Sequence, residues 1–137
     1  MAFGFIFSRG ERNSREGSLR AAVDALNALD YDRVAAKLHP SVIALHPRGF
    51  VTKGRQEFVR FDRTFRQALM RPRIVVTDII HHNREVLVTG RLETDDPDIG
   101  GPTMWRVEFL GDLISRVETT RAQDNGMALR EVRAMAV

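Results

Sequence analysis

Four histidines and no cysteine bound the chemistry open to this 137-residue sequence. Without cysteine there is no disulfide, no thiolate metal ligand and no thiol nucleophile. Proton transfer then falls to histidine, whose ordinary pKa of ~6.5 lets it gain and lose a proton near neutrality. His46 is the best placed. It closes the run Ser41-Val42-Ile43-Ala44-Leu45 and precedes Pro47, so its ring should project from a strand end toward a pocket mouth. There it reads either as a general base or as a histidine bonded locally at the strand end. His81 and His82 are adjacent, so on a strand they point to opposite faces and cannot readily grip one ion. No metal site is expected. His82 shares its alternation with Asp78, which offers an Asp–His pair, against the plainer reading of two histidines in water at a hairpin end.

A proton acceptor needs walls around it, and the apolar residues supply candidates. Gly54 to Leu69 is the clearest helical stretch: Phe58, Phe61, Phe65 and Leu69 fall on one face, with Arg60, Arg63 and Arg66 away from it. The phenylalanine stripe reads as core, as pocket wall, or as both. Trp105 shares a strand face with Thr103, Val107 and Phe109, and its indole N–H can donate but never accept a proton. It either lines a cavity or fills it. Thr119 and Arg121 share a face with Val117, placing a hydroxyl inside and a guanidinium at the rim or in solvent. Tyr31, between two aspartates in a helix–helix turn, could reach the mouth or lie exposed in solvent, the plainer reading.

The remaining elements follow from period and punctuation. Ser18 is a plausible cap for a helix carrying Leu19, Ala22, Val23, Leu26 and Leu29. Asp30 and Asp32 can each cap a second short helix, which Pro40 stops. Residues 41–46 read as a strand ended by Pro47 and Gly49. Ile74–His81, the alternating 86–92 run, Thr103–Phe109 and Leu113–Arg121 read as four strands in an antiparallel meander. Their turns lie at Asn83-Arg84, at 95–102 and at Leu110-Gly111-Asp112. Helices first and hairpins after indicate an α+β fold. Residues 1–17 read as an extension (Phe3–Phe7, an added strand) and a polar linker, 18–121 as one domain, and 122–137 as a tail with a short helix over Met127–Met135.

Composition narrows the partners. Lys37 and Lys53 are the only lysines, so nearly all of the 21 basic residues facing 18 acids are arginine. The sequence pI of 10.1 therefore overstates the charge near neutrality, where the formal net charge is +3. Asp62 and Glu57 interleave with the helix arginines, which suggests ion pairs on a solvated face. The aromatics that would stack on bases face inward, so no nucleic-acid partner is expected. Phe3–Phe7 is far short of the ~20 residues of a spanning helix, so no membrane association and a cytoplasmic location are expected.

Three motifs carry a family resemblance: Ala25-Leu26-Asn27-Ala28-Leu29-Asp30-Tyr31-Asp32 between the first helices; His46-Pro47-Arg48-Gly49 with Gly54 opening the third; and Trp105-Arg106-Val107-Glu108-Phe109 followed by Gly111-Asp112 and Ile114. In this order they resemble the NTF2-like superfamily, nearest its ketosteroid isomerase and SnoaL-like polyketide cyclase groups. The resemblance implies a cone: a curved antiparallel sheet around a long helix, preceded by two further helices. It also implies homodimerisation through the outer sheet face, where Arg106, Glu108, Arg116 and Glu118 could pair across strands. By position, the isomerase base corresponds to His46 and its two oxyanion donors to Ala22 and Trp105. The cyclase aspartate and histidine fall on Thr119 and Val117. The container is kept and most of the known chemistry is gone.

Three functions stay open. One is a cofactor-independent isomerase, cyclase or dehydratase acting on a small apolar or cyclic molecule, with His46 moving the proton. Trp105, Phe58, Phe61, Phe65, Thr119 and Tyr31 would hold the ligand. Another is a non-catalytic binding protein using the same pocket. The third is a dimeric interaction scaffold whose cavity is filled.

Overall fold

The computed structural model describes residues 9–121. The expected Phe3–Phe7 strand and Met127–Met135 helix lie outside the described residues. Three helices and six strands follow in the order α1 (Arg9–Asn27), α2 (Tyr31–Lys37), β1 (Leu38–Leu45), β2 (Val51–Lys53), α3 (Arg55–Ala68), β3 (Arg73–His82), β4 (Glu85–Glu93), β5 (Gly101–Leu110) and β6 (Leu113–Arg121). The strands form one curved, unclosed sheet in the order β2-β1-β6-β5-β4-β3. The architecture is the expected α+β cone, with the core between the helices and the inner sheet face around Leu19, Ala22, Val34, Val42, Val88 and Val107. No described helix is long and apolar enough to cross a membrane.

Several elements depart from the sequence reading. Residues 9–17, expected as a polar linker, are the first half of α1, and Ser18 is buried inside that helix instead of capping it. Their polar side chains find partners far along the chain. Ser14 Oγ donates to Asp112 at 3.0 Å, Glu16 meets His81 Nε2 at 2.9 Å, and the Arg15 guanidinium lies 5.6 Å from the Phe109 ring centre. Such tertiary contacts override local composition, which is all that the sequence displays. Asn27, at the helix end, behaves like a strand neighbour: its amide donates to Ile74 O at 2.9 Å and accepts from Ile74 N–H at 2.8 Å.

Asp30 is the cap of α2, accepting from Arg33 N–H. Helix α2 ends at Lys37, and Pro40 lies in β1 rather than stopping a helix. The β1–β6 register shifts between Leu38 and Ile43, so the proline occupies an irregular stretch where a missing N–H is tolerated. The β1–β6 pair is parallel, which corrects the expectation of a wholly antiparallel sheet. The three-residue β2 was not expected either; it pairs with β1 and returns the chain to α3.

The meander of β3 to β6 is as expected. Within it the β3–β4 register slips by a bulge between Val76 and Asp78. Facing that bulge is Gly90, where an added Cβ would lie 2.0 Å from Val75 O. A bulge bends its strand and raises the local twist, and here only glycine lets the two backbones approach.

Gly90→Ala should therefore lower unfolding stability by about 3 kcal/mol, as overpacking against an immovable carbonyl does. Gly17→Ala, whose new methyl group meets nothing within 4 Å, should raise it by roughly 0.5–1 kcal/mol through helix propensity. Urea unfolding of the two variants beside the wild type checks both signs.

Candidate functional site

A cavity of about 410 Å³ lies between α1, α3 and the inner sheet face. Its existence depends on α3 standing off the bent sheet, so that the aromatic stripe faces space as well as core. Phe58, Phe61 and Phe65 all line it, as do His46, Trp105 and Thr119. Trp105 lies between Val88 on β4 and Thr119 on β6 in register, and all three contribute to one wall. The indole is half-buried and leaves the cavity unfilled.

His46 is held from several sides. It directly follows β1 and leads into a 3-10 turn over Pro47–Gly49, whose Arg48 sits at φ 66°. Its backbone N–H donates to Phe50 O at 2.7 Å, closing that turn. Its ring stacks on Phe61 with centroids 3.9 Å apart, and Nε2 is 3.0 Å from the buried Thr52 hydroxyl. Burial lowers its pKa below the ordinary 6.5, an effect that the negative charge of Asp62 partly offsets. The imidazole is neutral at neutral pH, the state of a proton acceptor.

Two residues assigned to solvent belong to the wall. Asp62 and Arg66 both line the cavity. Arg66, expected to point away from the aromatic face, is 3% exposed; its Nε donates to Asp62 Oδ2 at 2.8 Å and its Nη1 to Pro72 O at 2.5 Å. The helical wheel held only a faint signal. At ~100° per residue, Asp62 and Arg66 fall about 20° and 60° past Leu69, in the gap between the aromatic stripe and the partly buried Val59.

Tyr31 corrects the expectation of a residue at the mouth. It is buried behind the wall, and its O–H donates to Asp62 Oδ2 at 2.8 Å while Arg63 lies 4.9 Å over its ring. Burial, the hydrogen bond and the Asp62 charge push the phenol pKa upward, so the proton stays on tyrosine. Tyr31 thus acts on the cavity through Asp62. Arg121, read as a rim or solvent residue, is 4% exposed and donates through Nη2 to Ile99 O and Gly100 O. It pins the β4–β5 loop so that Ile99 closes part of the cavity.

The two remaining histidine candidates stand apart. His81 faces α1 and pairs with Glu16 instead of lying in water, and Asp78 accepts from Ile79 N–H rather than meeting His82. Among the described residues no three histidine or acidic side chains come together to hold a metal ion. On the outer sheet face Arg106 lies 3.4 Å from Glu85, and Arg116 lies 3.5 Å from Glu108.

A family model of the SnoaL-like domain matches residues 19–128. No curated protein matches the chain significantly. Solved structures share the fold. A candidate polyketide cyclase from Sinorhizobium meliloti has a TM-score of 0.71 at 14% identity, covering 76% of this chain and 94% of its own. For a candidate ketosteroid isomerase from Kribbella flavida the values are 0.69 and 21%, with 78% and 76% covered. An NTF2-like protein of unknown function from Burkholderia pseudomallei gives 0.71 and 18%, with 82% and 94% covered.

The lowered His46 pKa has a signed consequence. The unfolded chain binds a proton at this position from about pH 6.5 downward, the folded chain only at lower pH. Stability from this group is complete above pH 6.5 and falls as the pH drops toward the folded value. Thermal melts between pH 8 and pH 5 should show the loss, and His46→Gln should flatten that part of the profile. Arg66→Ala strips Asp62 of its buried cation and should cost about 3–5 kcal/mol in urea unfolding.

Proposed function

The chain belongs to the SnoaL-like domain family of the NTF2-like superfamily, and we propose that it binds a flat, largely apolar, ring-bearing molecule on which His46 transfers a proton. The reaction class is a cofactor-independent isomerisation, cyclisation or dehydration. The observation that carries this reading is a single one: a neutral histidine and a tryptophan line the same apolar cavity of about 410 Å³. That volume suits a ligand of two or three fused or linked rings, and the aromatic walls favour a flat one. The same space weighs against a scaffold with a filled interior.

The chemistry needs only this chain. With Nε2–H donating to Thr52, Nδ1 keeps its lone pair and takes a proton from a carbon beside a ligand carbonyl. The C–H electron pair forms a carbon–carbon double bond, and the carbonyl pair moves onto oxygen. Where a second carbon–carbon double bond adjoins that carbon, the carbonyl re-forms and the new double bond shifts by one carbon. The electron pair of the old one takes the proton back from the imidazolium at its far end, which isomerises the ligand and restores the neutral base. Otherwise the proton returns to the carbon it left. No oxidant or cofactor is consumed. Phe61, stacked on the imidazole, keeps water from that face of the base. Homodimerisation through the charged outer sheet face and a cytoplasmic setting belong to the same proposal.

Beta-tetralone, a two-ring ketone with acidic carbon-bound protons, tests the chemistry. In heavy water the wild type should speed exchange of those protons, followed by NMR, and His46→Gln should slow it by about 100-fold or more. The affinity for the ketone should change only a few-fold. Equal exchange by the variant removes His46 from the mechanism. Binding without exchange by the wild type favours the non-catalytic binding protein. Sedimentation equilibrium should give twice the chain mass of 15.5 kDa; the monomer mass overturns the dimer.

A further inference from the structure

The charged pair in the cavity wall carries information about the ligand that the aromatic lining does not. Both hydrogen bonds to Asp62, from Tyr31 O–H and Arg66 Nε–H, land on Oδ2. Oδ1 has no partner among the described residues. Arg66 spends Nε on Asp62 and Nη1 on Pro72 O, and Nη2 likewise has none among the described residues. The two side chains are 14% and 4% exposed, and both line the cavity. A pair serving only as a brace would have no need to keep a free atom on each partner in the wall of a cavity.

The chemistry of the two atoms is complementary and fixed. An ionised carboxylate only accepts hydrogen bonds and a guanidinium only donates them. Tyr31 and Arg66 both hold Asp62 through Oδ2, and the rigid turn of α3 sets the spacing of acceptor and donor. A purely apolar ligand in this cavity would leave both atoms cut off from water, which is costly for charged groups. A ligand that offers a donor beside an acceptor would satisfy both at once.

We propose that Asp62 and Arg66 are the polar anchor of the cavity and that its ligand carries a hydroxyl next to a carbonyl on a flat ring system. The hydroxyl donates to Asp62 Oδ1, and the carbonyl accepts from Arg66 Nη2. This rests on the reading of the cavity as a small-molecule site and specifies the substrate class for it. It also answers the absence of oxyanion donors at Ala22 and Trp105. The carbonyl oxygen that gains charge when His46 takes a proton is met by a guanidinium already in place and already desolvated.

Flavone and flavonol, which differ only by a hydroxyl beside the carbonyl, separate the possibilities by calorimetry on the full chain. The wild type should bind flavonol at least about 10-fold more tightly than flavone. In Asp62→Asn that preference should shrink to within about 3-fold. Equal wild-type affinity for the two compounds overturns the anchor and leaves the cavity reading standing, as does a preference that survives Asp62→Asn. Binding of neither overturns the cavity reading itself, and the anchor with it. If Asp62→Asn fails to fold, the wild-type comparison decides alone, and Tyr31→Phe, which removes one support of the carboxylate, should narrow the preference in part.

Discussion

A sheet encloses space only if it bends away from the helix that covers it, and here the bend is secured where two backbones nearly touch. Gly90 on β4 faces the β3 bulge so closely that no side chain fits between it and the Val75 carbonyl. Beyond that point the sheet curves across β5 and β6, bringing Trp105 and Thr119 onto the same wall as Val88. Helix α3 then meets the inner face with its aromatic stripe partly unpacked. The cavity is thus a consequence of backbone geometry, and its lining is a consequence of which residues occupy the inward positions.

Within that enclosure, electrostatics sorts the polar groups into distinct states. Burial favours a neutral His46, while the Asp62 anion limits how far that preference goes. Asp62 accepts hydrogen bonds from both a guanidinium and a phenol. A buried ion pair seldom adds net stability over an apolar substitute, so its retention in a cavity wall is better understood through what it offers a ligand. Arg121 shows the contrasting use of a buried arginine: its Nη2 donates to loop carbonyls and shapes the enclosure. Three polar clusters therefore differ in kind: His46 beside Thr52, Asp62 between Arg66 and Tyr31, and Arg121 on the loop carbonyls.

Much of this was legible from residue order. The meander, its Asn83 and Gly111 turns, the aromatic face of α3 and the position of His46 before Pro47 all follow from period and punctuation. The NTF2-like resemblance rested on motifs within those same elements, and the SnoaL-like match covers most of them. The first half of α1 was not legible, because its polar residues are held by Asp112, His81 and Phe109, which lie at least 65 positions away. The parallel pairing of β1 with β6 was hidden for a similar reason, since it joins strands at opposite ends of the domain. Asp62 and Arg66 were not legible as wall residues, because they lie just past the edge of the aromatic stripe, where interleaved charges ordinarily pair in solvent.

The sequence by itself determined most of the elements, the inward-facing aromatic stripe, and the restriction of proton chemistry to histidine in a chain without cysteine. Those properties depend on residue type and on spacings of two to four, which are local. Only the tertiary structure decided that the interior is a cavity and not a filled core, that Tyr31 acts from behind its wall, and that an aspartate–arginine pair belongs to it. Each of these turns on distances between elements and on desolvation, quantities set by how the bent sheet and α3 come together. Residue order alone does not contain them.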